Sequence, residues 1–483
     1  MTTLHQKTTS AAKWSALDVF MRQGMQFVVA IVLARILAPE DFGVIAMLAL
    51  FIGVASIFID SGFSSALIQR QNTTHTDEST VFFFNLGMGA VTALLLCAAA
   101  PWIATFFKQP VLQYLSYAMA FSIFVGAFGS IHTTLLSKEM NFKITAKVGG
   151  VSSVVAGALA IYMASQGHGV WSLAGHAVAS GIVTVLLLWI WHPWRPSWTF
   201  SVASLRSFFR FGGYEMASTL LDVFATNLYL ILIGKMYSVR DVGFYSRAQK
   251  TQQMPITLMI GIIQRVTYSA FAFVSDDKVR LVRGLRQAQA ISMFVNIPVL
   301  VGIIILAEPL VLTLFGEQWL PCVPILQVLG LGGILWPVHV LNLNILQAQG
   351  QSDLRFRIEI IKKVFAISLT VAASYYGVMA IAWAQVVLSV FGYFVNTHYT
   401  KVLLDYSGLK QLRDLAMNFV AVIPMAAAVY LMTNIMETLP LIELVVASTM
   451  GCGIYLLTCQ LLCAELVNES LVLAGVRTRP VRP

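Results

Sequence analysis

The sequence predicts an all-α integral membrane protein with 14 transmembrane helices: two pseudo-symmetric six-helix lobes followed by two C-terminal helices. Three observations carry this expectation: the composition, the recurrence of long apolar runs, and an internal repeat. Of 483 residues, 58% are hydrophobic and only 11% are charged, with a mean hydropathy of +0.78. A soluble domain carries roughly 25% charged residues. There is too little polar surface here to wrap a water-soluble globule. The 33 glycines fit the same class, since small residues let helices approach closely in lipid.

Runs able to cross ~30 Å of hydrocarbon occupy 14–37, 42–68, 80–107, 111–136, 145–167, 169–193 and 212–236, then 243–274, 285–307, 320–347, 357–376, 378–399, 413–433 and 441–464. The polar stretch 1–13 leads into span 1 without a small-residue cleavage site. Span 1 therefore reads as a retained helix and not a signal peptide. Spans 2 and 8 are longer than a vertical crossing requires, which predicts tilt or extension beyond the bilayer.

Basic residues orient the chain. With an inside N-terminus, the inside segments hold 23 of the 31 Lys and Arg residues. The outer ends and loops hold only Arg35, Lys108, Lys235 and Arg240. This bias places both termini in the cytoplasm, and it puts Trp189, Trp191, Trp194 and Trp198 at the cytoplasmic interface as an aromatic belt. The net charge of +9 then reflects inner loops, and no nucleic-acid partner is implied.

Other classes fall away. The five cysteines lie in apolar runs, with no CxxC and no Cys/His cluster of zinc spacing, so neither a disulfide framework nor a metal site is expected. No GxxxxGK[ST] is present, which leaves no P-loop for ATP, and no cofactor is expected. Every outer loop is shorter than 20 residues, which disfavours an enzyme with an external catalytic domain.

The repeat lies at an offset of 200. Residues 31–44, IVLARILAPEDFGV, align with 231–244, ILIGKMYSVRDVGF, with Ile31/Ile231, Arg35/Lys235, Asp41/Asp241 and Gly43/Gly243 in register. A second match pairs VLQYL at 111–115 with ILQVL at 325–329. A shift of six helices preserves orientation, so the repeats are parallel and related by an axis along the membrane normal. The predicted organisation is 1–200 for the N-lobe (spans 1–6), 201–405 for the C-lobe (spans 7–12), and 406–483 for spans 13, 14 and a cytoplasmic tail. Two such lobes around a central cavity are a transporter design.

Ionisable groups inside spans are costly, at ~2.5–3.5 kcal/mol on insertion scales, so each needs a reason. Arg22, Asp60, Asp222 and Arg265 all lie nine to twelve residues from a charged cytoplasmic end, roughly 13–18 Å deep by helix rise. Arg22 and Asp222 are equivalent under the offset. Two acids and two bases thus share one layer, which is expected to face a cavity as a gate or substrate layer. Arg247 and Lys250 lie nearer the outer end of span 8, placed either to attract an anionic headgroup or to snorkel. Glu215 sits near the cytoplasmic mouth. His132, His176 and His339 are isolated in apolar helices and are expected to make core hydrogen bonds.

With these features in view, several stretches are similar to one family. They include KTTSAAKWSAL at 7–17, IVLARILAPEDFGVIAM at 31–47, FIDSGFSSALIQRQ at 58–71, LFGEQWLPCVPILQVLG at 314–330 and ILQAQGQSDLRF at 345–356. The chain resembles the Wzx-like polysaccharide flippases of the multidrug/oligosaccharidyl-lipid/polysaccharide exporter superfamily, with the colanic acid exporters as the nearest branch. The resemblance implies a non-enzymatic transporter of the bacterial inner membrane. It would carry an undecaprenyl-diphosphate-linked oligosaccharide to the outer leaflet by alternating access, alongside membrane lipids and polysaccharide assembly proteins. The cationic cavity typical of such flippases would draw on Arg22, Arg247, Lys250 and Arg265, with Asp60, Asp222 and Glu215 as gate or coupling groups. A multidrug or organic-cation antiporter of the same superfamily would favour carboxylates, which the mixed layer also permits. An integral membrane glycosyltransferase or polymerase is the remote alternative.

Overall fold

A computed structural model describes residues 21–60, 63–70, 72–273, 277–436 and 439–462; within them, backbone alone is described at 60, 209–215, 258–270, 272–273 and 352–353. All regular structure among the described residues is helical. In chain order the helices are α1 (21–36), α2 (Pro39–Met47), α3 (Ala49–Asp60), α4 (Phe63–Gln69), α5 (His75–Phe107), α6 (Val111–Lys138), α7 (Phe142–Ser165), α8 (Val170–Trp191) and α9 (Val202–Met236). They continue with α10 (Val239–Phe273), α11 (Lys278–Ile305), α12 (Ala307–Leu314), α13 (Val323–Gly333), α14 (Trp336–Ala348), α15 (Ser352–Ser374), α16 (Val378–Leu404), α17 (Gly408–Ile435) and α18 (Pro440–Leu462).

Every predicted span coincides with one or more of these helices over its described part. Among the described residues, ten helices are long and apolar enough to cross a membrane, and eleven if the bent pair α2–α3 is one span. This is a multi-pass membrane protein. α1, α10 and α15 fall outside that count. The described part of α1 is short, and α15 carries Arg355, Arg357, Glu359, Lys362 and Lys363.

Two spans expected to be single helices are broken. Span 2 is broken between α2 and α3. There the Leu48 N–H bonds Ile45 O at 3.1 Å, a tightened turn, and the axis bends by 41°. Span 10 becomes a 3₁₀ turn (Glu317–Cys322), α13 and α14. The second break follows Gly332 and Gly333 and precedes Pro337, which has no N–H to continue the ladder.

Helix starts carry the residues that satisfy orphan N–H groups. Thr74 and Asp77 form a capping box on α5, with Asp77 N donating to Thr74 Oγ1 at 3.2 Å and Thr74 N to Asp77 Oδ2 at 2.9 Å. Ser201, Asp277 and Ser407 cap α9, α11 and α17.

The chain divides into two compact units, Met1–Gly243 and Phe244–Pro483. In the first, α5, α6, α7 and α8 pack on one another, and α9 lies against α2, α3, α4 and α5. Its apolar core includes Phe63, Leu67, Phe82, Ile131, Leu135 and Phe208. Val29 and Leu33 of α1, and Leu37 just past its end, meet Ala160 and Ala164 of α7. In the second unit α11 packs on α13, α14 and α17, and α16 on α13 and α15. Met293, Ile297, Val338, Tyr393, Met425, Val429 and Tyr455 lie in its core. The Tyr455 hydroxyl donates to Phe294 O at 2.8 Å, which ties α18 to α11.

Candidate functional site

The predicted charged layer is described in part. Arg22 on α1 and Asp222 on α9 are both exposed on the bare protein. The side chains of Asp60, Glu215 and Arg265 lie outside the described residues, although their backbones belong to α3, α9 and α10. Arg247 is only 5% exposed. Its guanidinium lies over the rings of Phe315, at 5.0 Å, and Trp319, at 5.2 Å, a cation–π arrangement. Lys250, one turn on, is exposed. The structure therefore separates the pair: Arg247 faces an aromatic wall and Lys250 does not share its burial.

Of the lone histidines, His339 makes the expected core hydrogen bonds. It lies 3.3 Å from Ser389 Oγ through Nε2 and 3.3 Å from Asn396 through Nδ1. His132 is fully buried against Trp189, His192 and Trp194. In the second unit, buried amides form a network. Gln411 joins Gln289 at 2.9 Å and Asn342 at 3.0 and 3.1 Å, and Thr400 donates to Asn342 Oδ1 at 2.7 Å, so α11, α14, α16 and α17 of the second unit are joined by polar side chains. At its edge the Tyr406 hydroxyl donates to Asp414 at 2.7 Å; burial first, then this bond, pushes the phenol's pKa up and keeps it a donor.

The tryptophan belt is partly turned inward. Trp194 Nε1 donates to Glu78 Oε2 at 2.8 Å and Trp189 Nε1 to Phe128 O at 3.0 Å, while Trp198 is 95% exposed. The segment 192–201 is held along the α5 start. Ser197 N donates to Ser79 Oγ and Ser201 N to Thr80 Oγ1, both at 3.0 Å, and Ser204 Oγ donates to Asp77 at 2.5 Å.

The clearest geometry is at the repeated turns, α1 to α2 and α9 to α10, both inside the first unit. Each repeated aspartate caps its own turn. Asp41 accepts from Ala38 N at 3.2 Å; Asp241 accepts from Ser238 N at 3.1 Å and Ser238 Oγ at 2.6 Å. Two residues later each glycine lies against the other turn. A Cβ on Gly43 would stand 2.0 Å from Val239 O, and one on Gly243 2.1 Å from Pro39 O. No side chain fits at either place, so the two turns meet backbone to backbone. Glu40 and Arg240, also 200 apart, pair across the contact at 3.4 Å. The sequence registered the shared Asp and Gly but not this reciprocity. The missed signal was the opposite charge at 40 and 240. Among the described residues, no three His, Cys, Asp or Glu side chains gather as a metal site.

The matched stretch of the family model described as "Polysaccharide biosynthesis protein" runs from 32 to 324 and contains both turns. The chain belongs to this family. Members and relatives of the polysaccharide biosynthesis protein family resemble it over most of their length. The teichuronic acid biosynthesis protein TuaB of Bacillus subtilis (strain 168) is 25% identical, over 82% of this chain and 83% of its own. The lipopolysaccharide biosynthesis protein WzxC of Escherichia coli (strain K12) is 27% identical, over 81% of both. The succinoglycan biosynthesis transport protein ExoT of Rhizobium meliloti (strain 1021) is 28% identical, over 77% and 75%. Among solved structures, the lipid II flippase MurJ in an inward closed conformation superposes with a TM-score of 0.76 at 14% identity, covering 94% of this chain and 99% of MurJ. An inward-facing multidrug resistance MATE family transporter gives 0.62 at 18%, covering 81% and 99%. At these identities the likeness is one of fold.

Proposed function

We propose that the chain is a flippase that carries an undecaprenyl-diphosphate-linked oligosaccharide from the inner to the outer leaflet of a bacterial inner membrane, for surface polysaccharide synthesis. It makes and breaks no bond in its substrate. The observation that carries the reading is the reciprocal contact of Gly43 with Val239 and Gly243 with Pro39. Equivalent turns of two parallel repeats meet backbone to backbone, as a closure in an alternating-access transporter must. Family membership and the relatives named for polysaccharide biosynthesis and transport support the substrate class.

On this reading all 14 spans cross the membrane, six in each lobe (1–200 and 201–405) with two more in 406–483, and both termini are cytoplasmic. The paired turns then close the outer side. The headgroup travels through a water-lined path while the polyprenyl tail stays in lipid. Arg22, Arg247, Lys250 and Arg265 serve the diphosphate; Asp60, Asp222 and Glu215 compete for the arginines and set the gate. A ligand shifts the inward–outward equilibrium only by its differential affinity for the two states, and that competition supplies it.

The test is deletion of the gene, followed by leaflet-resolved assay of the lipid-linked intermediate. The expected result is intermediate confined to the inner leaflet, released by the wild-type gene. Unchanged outer-leaflet display, with a loss of drug efflux instead, would favour an antiporter and overturn the proposal.

A further inference from the structure

The sequence places only four of its 31 basic residues at outer ends and loops: Arg35, Lys108, Lys235 and Arg240. The fold brings three of them to one cavity. A space of about 600 Å³ beside the paired turns is lined by Lys108 and Gln109 of the α5–α6 turn, Lys235 and Arg240 of the α9–α10 turn, and Glu40. We infer that this cavity binds a phosphate-type anion, presented by a lipid headgroup or a soluble phosphate. Its position on the outer face rests on the orientation proposed above.

The charge is the first argument. Three cations face one carboxylate in a membrane protein that otherwise keeps basic residues off this side. Helix dipoles favour a cation at the C-terminal end of α5 and of α9, but they do not require both to share a cavity with Arg240. The volume is the second argument, since it lies within the roughly 300–1,000 Å³ of small-ligand pockets.

Preorganisation is the third argument. Lys235 Nζ donates to Phe106 O at 2.8 Å and stands 4.2 Å from the centroid of that ring; an ammonium carries three donors, so this contact orients it without exhausting it. Lys108 occupies the left-handed region, φ 55°, at the C-cap of α5, where glycine is the usual residue. A lysine there sacrifices backbone ease and places an ammonium at the cavity. Glu40 is an exchangeable partner for Arg240: their side chains are 49% and 53% exposed, and such pairs are weak. An anion in the cavity takes the place of Glu40 and ties the α5–α6 turn to the α9–α10 turn, adjacent to the glycine contact. It would therefore be bound most tightly when the turns are together.

The experiment uses the full chain in phosphatidylcholine nanodiscs, with Gln109→Cys as the sole cysteine. The rate of its reaction with an impermeant maleimide is measured with inorganic pyrophosphate at millimolar concentration, and separately with phosphatidylglycerol in the disc. The expected result is at least fivefold slowing by one or both probes, lost in the triple variant Lys108→Gln, Lys235→Gln, Arg240→Gln. Slowing by pyrophosphate alone assigns a soluble phosphate group; slowing by phosphatidylglycerol alone assigns a lipid headgroup. Lys108→Gly removes a cation while suiting the backbone, so it tests the site even if the triple variant misfolds, and it should weaken the slowing several-fold. No slowing by either probe, or equal slowing in parent and Lys108→Gly, overturns the inference. The readout involves no transport, so its failure leaves the flippase reading intact, and a failed transport test leaves this site standing.

Discussion

Gly43→Ala tests the contact on which the functional reading rests. The new methyl would lie 2.0 Å from Val239 O, and real Cβ atoms essentially never come closer than 3.0 Å to such a neighbour. The turns must part by about 1 Å. The obstructing atom is a backbone carbonyl, which cannot rotate away as a side chain can. Overpacking typically costs 1–3 kcal/mol, and a rigid neighbour puts this site at the upper end, about 3 kcal/mol. Gly43 lies inside α2, so alanine also favours the helix by up to ~1 kcal/mol; that gain applies to both states and cancels from their equilibrium. At ~1.4 kcal/mol per decade, the closed-to-open ratio at the outer end should fall about a hundredfold. Gly243→Ala, 2.1 Å from Pro39 O, should act alike, and the double variant should fall short of the sum because both changes part the same turns. Spin labels on cysteines at 40 and 240 read the two populations directly. Gly24→Ala, with nothing within 4 Å of its new methyl, is the control and should leave them unchanged. Parent-like distance distributions and parent-like export in both Gly43→Ala and Gly243→Ala would refute the closure.

Two further predictions follow from the polar contacts. Thr74→Ala removes the side-chain acceptor for Asp77 N and should lower stability by about 1 kcal/mol, the usual worth of such a cap, read as a lower melting temperature in detergent, while Thr74→Ser restores it; an unchanged melting temperature in Thr74→Ala would remove the cap from the account. Gln411→Leu leaves the buried Gln289 amide without its partner and takes two bonds from Asn342, which keeps those to Thr400 and Val338. Orphaned buried polar groups cost about 1–3 kcal/mol each, so this variant should lose more stability than Thr74→Ala, and a smaller loss by the same melt would show the network to be dispensable.

Much of the fold was legible because a membrane imposes it. Hydrocarbon forces backbone polar groups into helices, so apolar length alone located α5 to α9 and α16 to α18. The breaks at Leu48 and at 334–335 were hidden for the same reason: the bent segments remain apolar throughout, and hydropathy does not register a bend. The site was less legible. Asp41 and Asp241 were visible as a repeat, but their work is local, capping Ala38 and Ser238. Gly43 and Gly243 matter through what lies against them, which no linear pattern contains. Arg247 shows the same limit. Its charge in an apolar span was visible in the sequence, but the rings of Phe315 and Trp319 that lie over its guanidinium are about 70 residues away in the chain.

The repeat also says where charge chemistry should be sought. Where the halves agree, at Asp41/Asp241 and Gly43/Gly243, the residues build a turn and its contact. Where they disagree in sign, they are suited to meet. An axis along the membrane normal brings equivalent positions near it together, and identical charges there would repel. Glu40 and Arg240 are equivalent, opposite in sign, and paired at 3.4 Å. Arg22 and Asp222 are equivalent and opposite in sign as well, about 18 residues, or roughly 27 Å by helix rise, from the paired turns. By the same logic we propose that Arg22 and Asp222 attract each other across that axis at the other end of the path. Removing one partner of such a pair strands the other, which costs more than exchanging both. Arg22→Ala and Asp222→Ala should therefore each reduce surface polysaccharide at normal expression, and Arg22→Asp combined with Asp222→Arg should partly restore it. Cross-linking of cysteines at the cytoplasmic mouth, measured beside export, separates gating from folding. Normal export from either single variant, or a swap no better than the singles, would show that the sign reversal at 22 and 222 serves packing or substrate and not a gate.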